Sequence, residues 1–145
     1  MAEQDCRRLP YWDTGQSAPD EWLRKAKEQI EKVGGEVTES GIIMQYNRTV
    51  VMIGFALEGD NFRVVWPVLA HDPKENQTAV RQAATMLFHD VKARCVAVMV
   101  KGARLAFHAE LILPDGRSAG SLSDGDLVKC LPEMLQQPLA IEHDE

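Results

Sequence analysis

No stretch of this 145-residue chain approaches the ~18 consecutive apolar residues that a membrane-spanning helix needs. Its opening, Met-Ala-Glu-Gln-Asp-Cys-Arg-Arg, also lacks the apolar centre of a secretory signal. A cytoplasmic protein without membrane contact is expected. Cysteine is scarce: Cys6, Cys95 and Cys130 are odd in number and far apart, which fits reduced thiols rather than a disulfide framework. The glycines form no phosphate loop, since Gly34-Gly35 follows a helical pattern and neither Gly-x-Gly-x-x-Gly nor Gly-Lys-Ser occurs. No serine stands in a Gly-x-Ser-x-Gly elbow.

Metal chemistry is equally thin. His108-Ala109-Glu110 matches the His-x-Glu half of the zinc-deaminase signature, but the Pro-Cys-x-x-Cys half is missing and Cys130 stands alone. His71-Asp72 and His89-Asp90 set imidazole beside carboxylate. Adjacent residues on a helix point about 100° apart, so such a pair cannot grip one metal from one face. No cofactor and no metal site are expected, and catalysis has no visible seat. An enzyme would have to assemble its site from scattered residues.

What is present is apolar patterning. Apolar residues make up 45% of the chain, enough for one domain with a real core. Residues 1–16 lack periodicity and read as an irregular arm carrying Tyr11 and Trp12; residues 17–138 read as a single domain and 139–145 as an acidic tail. Ser17-Ala18-Pro19-Asp20 has the form of a capping box opening a helix, and Gly34-Gly35 closes it. Trp22, Leu23, Ala26, Ile30 and Val33 share one face of that helix. Glu36 to Tyr46 predicts a first strand, turned at Asn47-Arg48. Val51, Ile53, Phe55 and Leu57 alternate as a second, and Phe62, Val64 and Trp66 as a third, with Glu58 to Asn61 as a hairpin turn.

A long helix follows, ending at Gly102, with Asp72-Pro73, Asn76 or Thr78 as its start. Val80, Ala84, Leu87, Phe88, Val91, Cys95 and Val98 fall within a ~100° arc and predict its core face. Residues 103–113 suit either a helix or a strand, and the helix is preferred for its alanines; Leu113 to Arg117 is a turn in both cases. Ser123 to Leu131 predicts a last short helix. The class is α+β: an N-terminal helix, a three-stranded antiparallel sheet, a long amphipathic helix packed on one face, and short C-terminal elements.

Charge is unevenly spread. Residues 1–47 hold 6 basic and 9 acidic side chains, 48–104 hold 8 and 5, and 105–145 hold 2 and 8, for a net charge of −6. The strand-and-helix centre is therefore the one basic part of the chain. In element order alone, with no motif in common, helix, three strands and long helix resemble the core of single-strand annealing proteins. Two functions compete. One is a small oligomeric single-stranded nucleic-acid-binding protein, in which Arg48, Arg63, Arg81 and Lys92 follow the backbone while Tyr46 or Trp66 stacks on bases. The other is a protein-interaction module, such as a small inhibitor or adaptor, whose acidic ends meet a basic partner. Val96, Met99 and Val100 lie outside the core arc and, with Tyr11 and Trp12, predict a homo-oligomer interface.

Overall fold

The computed structural model describes residues 6–12, 18–45, 47–70 and 73–121. Helix α1 (Pro19–Lys32) leads into strands β1 (Glu36–Gln45), β2 (Arg48–Leu57) and β3 (Asp60–Pro67). Helix α2 (Asn76–Lys101) and the short α3 (Ala103–Ala106) follow. The strands form one antiparallel sheet in the order β1-β2-β3, and the α+β architecture is the one the patterning predicts. Among the described residues no helix is long and apolar enough to cross a membrane.

Each element begins and ends for a local reason. Pro19 sits in the first turn of α1 after the extended Ala18, whose carbonyl accepts from the Glu21 and Trp22 amides. The predicted cap at Ser17 lies outside the described residues. The helix stops where Gly34 takes φ 93°, and Gly35 donates to the Ile30 carbonyl; a Cβ at Gly35 would lie 2.5 Å from the Ile30 side chain. The β2–β3 turn is two residues shorter than the sequence suggests, only Glu58 and Gly59. Both have positive φ, the twist that a tight hairpin requires. Arg48 pairs with Gln45 inside the ladder rather than in the turn before it. Pro73–Glu75 forms a 3-10 turn, and α2 proper starts at Asn76.

The core lies between the helices and one face of the sheet. Val51, Ile53, Phe55 and Leu57 from β2 and Phe62 and Val64 from β3 meet Leu23, Ala26 and Ile30 of α1 and the predicted stripe of α2. Of that stripe only Val80 is partly buried; the others are enclosed. Ala79, Gln82, Ala83 and Thr85 are buried as well, so the first half of α2 is covered on more sides than a simple amphipathic helix.

The ambiguous stretch after Gly102 divides. Ala103–Ala106 is helical and His108–Glu110 a 3-10 turn, after which Leu111 bridges to Phe62 as extended chain. The preferred helix thus holds for four residues only. Phe107, fully buried, needs the chain to turn where it does, because its ring completes an aromatic trio with Phe55 and Phe62 at 5.0 and 5.7 Å. The β2–β3 hairpin is fastened to this junction: Arg104 grips Asp60 through two hydrogen bonds, and the Ala103 amide donates to Glu58. The last predicted helix and the acidic tail lie outside the described residues.

Candidate functional surfaces

The sheet face away from the helices carries Arg48, Val50, Met52 and Gly54 from β2 with Arg63, Val65 and Pro67 from β3, since strand residues alternate between faces. Val50 and Met52 are buried there, apart from the main core. At Gly54 the absence of a side chain lets Glu39 reach across to Arg63, Nη2 to Oε2 at 3.2 Å. A Cβ on Gly54 would lie 2.8 Å from the Glu39 side chain. The Arg63 Nε is enclosed without an acceptor among the described residues.

Beside Arg63 runs a hollow of about 640 Å³ whose wall includes Gln45, Val65, Glu110, Arg117 and Ser118. A second, of about 510 Å³, shares Gln45, Val65 and Ser118 and extends to Arg48 and Pro67. Together they make a groove across the outer sheet face. Arg117 arrives there by turn chemistry: Gly116, with φ 89°, donates to the Leu113 carbonyl, and Asp115 accepts from the Arg117 amide and from its Nε. The paired guanidinium keeps the Asp115 carboxyl below its usual range. Glu110, also in the lining, is pushed above its ordinary value by burial, while Arg94 pulls the other way through an ion pair.

The other predicted contact residues are in the helix layer. Arg81 lies against the start of α1, in a hollow with Ala18 and Pro19. Lys92 stands 6.0 Å over the Phe88 ring. Trp66 is half-buried on the core face of β3 and donates its indole N–H to Asp90 at 3.3 Å. Asp90 also accepts from Arg94, so a polar chain runs from Trp66 to Glu110. Arg48 and Arg63 are therefore together on one face, and Arg81, Lys92 and Trp66 belong to the opposite layer. Tyr46 lies outside the described residues. The sequence reading missed Arg117, Gln45 and Glu110 as groove residues; the Pro-Asp-Gly-Arg turn was visible, its return to the sheet was not.

Residues 9–11 of the arm pack on their own chain. Gln82, 3% exposed, donates to the Leu9 and Pro10 carbonyls, and the Tyr11 ring stacks on His89 at 4.9 Å. With Trp66 and Met86 these residues enclose an apolar hollow of about 530 Å³. Trp12 is half-buried. Among the described residues no cluster of histidine, cysteine and carboxylate side chains could hold a metal ion.

Two apolar surfaces are left. Val96, Met99 and Val100 are 57%, 72% and 84% exposed on the last turns of α2, and Leu105 on α3 is exposed as well. Ile42, Ile43 and Met44 are exposed at the far end of β1. Comparison with protein families, curated proteins and solved structures gives no match.

Proposed function

We propose that the protein binds single-stranded nucleic acid along the groove on the outer sheet face. The observation that carries this reading is that Arg48 of β2, Arg63 of β3 and Arg117 of the turn at 113–117 line two adjoining hollows of the outer sheet face, whose one lining carboxylate among the described residues is Glu110. A polyanionic backbone is recognised by a basic track, and guanidinium groups suit phosphate geometry. The exposed pairs of Arg63 with Glu39 and of Arg117 with Asp115 are weak in water and can be exchanged for phosphate contacts. This reading keeps Arg48 and Arg63 in the binding surface and moves Arg81, Lys92 and Trp66 out of it.

Anisotropy of a labelled oligothymidine at ~20 mM salt, where electrostatics is least screened, tests it. Binding should weaken with salt at a slope near −0.7 per phosphate neutralised. Arg48→Glu and Arg63→Glu should each weaken it at least ~10-fold, and Lys92→Glu should not. Absence of binding, or sensitivity at Lys92 alone, would overturn the proposal.

A second reading, a protein-interaction module, is favoured by the exposed group Val96, Met99 and Val100. Three large apolar side chains on the last turns of one helix are the usual mark of a protein contact rather than a solvated helix end. A nuclease-resistant partner in a pull-down that is lost with Met99→Glu would favour it over the first.

A further inference from the structure

We propose that the protein dimerises through the outer edge of β1, joining two three-stranded sheets into one. This goes beyond the nucleic-acid reading and stands whether or not the groove takes a strand. β1 pairs with β2 on one side, and its other side meets no strand among the described residues. A naked edge presents a row of backbone donors and acceptors that another strand satisfies best.

The two halves of this edge differ. The first half is blunted by a break in register between Val37 and Glu39 and by the charges of Glu36 and Glu39. Bulges and edge charges are common ways to discourage strand addition. The second half has neither. There Ile42, Ile43 and Met44 are 46%, 42% and 66% exposed on a strand end that the helices leave uncovered.

That half is complementary to itself. Ile42 and Met44 pair with Val51 and Thr49 and so share the helix side of the sheet; Glu39, Gly41, Ile43 and Gln45 share the outer side. Antiparallel partners must lie on the same side, so a two-fold axis can pass through Ile42 and set Ile42 against Ile42. Gly41 then faces Ile43, Ser40 faces Met44, and Glu39 faces Gln45. No like charges oppose one another. Gln45 is itself paired with Arg48, so the backbone of Glu39 in one copy lies two strand spacings, about 10 Å, from that of Arg48 of the partner subunit. Shifting the axis toward Glu36 would bring the glutamates of the two copies together and run into the register break. Because such an axis is perpendicular to the sheet, both Arg-lined grooves come to lie on the same side of the joined sheet.

Sedimentation equilibrium without nucleic acid, at tens of micromolar, tests the dimer. The parent should show twice the 16.2 kDa chain mass. Ile42→Lys and Met44→Lys should weaken association at least ~10-fold while leaving the helical signal intact, because a charge on an edge opposes strand addition. Met44, at 66% exposure, tolerates lysine even if position 42 does not. Met99→Glu should leave the dimer unchanged. A monomeric parent, a dimer that survives both lysine variants, or dissociation by Met99→Glu alone would each overturn the proposal.

Discussion

β1 and β2 are each ten residues long and lie side by side, yet their surroundings differ completely. In β2 every residue from Val50 to Phe55 is buried; in β1 none is. Composition does not explain the contrast, because Ile42-Ile43-Met44 is as apolar as anything in β2. Position does. β2 has a strand on each side and the helices beneath it, whereas among the described residues β1 has one strand neighbour and helical cover that fails toward its end. β3 is also an edge in the pairing order, but the chain after α3 returns to it: Leu111 bridges to Phe62, and the Ile112 amide donates to the Asn61 carbonyl. The comparison teaches that an apolar run is a demand for cover, and that the supplier is decided elsewhere in the chain.

The strongest way to break the comparison is to charge the buried side. Ile53→Asp in β2, or Leu87→Asp in α2, should unfold the domain, since an unpaired carboxylate in a packed core costs several kcal/mol. Both positions are fully buried. A variant melting within a few degrees of the parent would mean that this face is not core. Next in size, Phe107→Ala should cost about 3–5 kcal/mol in urea unfolding, because it removes the ring on which Phe55 and Phe62 close. A loss below ~1 kcal/mol would mean that the neighbouring side chains refill the space.

A smaller effect attaches to the segment that backs β3. Burial holds the Glu110 carboxyl above the ordinary range in the folded state, so the native protein keeps that proton more tightly than the unfolded chain. Its contribution to stability is fully present below the ordinary carboxylate value and is lost as pH rises through the raised one. Unfolding measured across that window should slope downward, and Glu110→Gln should flatten the slope. An unchanged slope would assign it to another carboxylate. Burial also pushes the Cys95 thiol up to about 11; at neutral pH it should resist alkylation until the chain unfolds, and prompt labelling would show that α2 opens easily. Smallest of all, Ile43→Thr should change the stability of the dilute protein by no more than ~0.5 kcal/mol, although its wild-type neighbour Val50 on the next strand is 4% exposed.

The legible part of this protein is what repeats at the period of its own backbone. The 3.6-residue recurrence of Leu87, Val91, Cys95 and Val98, the alternation of Val51, Ile53, Phe55 and Leu57, and the stops at Gly34 and Gly102 are local facts. They sufficed for the helices, the strands and their antiparallel order. Residues 103–113 were harder because two periods overlap there, and packing of Phe107 against Phe55 and Phe62 settles the issue, which no local propensity encodes.

Sequence alone therefore determined the fold class, the core faces and the surplus of apolar side chains at Val96, Met99 and Val100. Tertiary structure alone decided which charges share a surface. Arg48 and Arg63 are fifteen positions apart in sequence and come to one sheet face through strand pairing, and Arg117 lines the hollow beside Arg63 because its turn folds back on the sheet; Arg81 and Lys92, equally basic, end in the other layer. It also decided that Ile42 to Met44, the apolar end of the first predicted strand, stand at an edge of the sheet formed by the described residues. Periodicity reports which way a side chain points along its own element. Whether anything waits there is a property of chain segments far away in sequence.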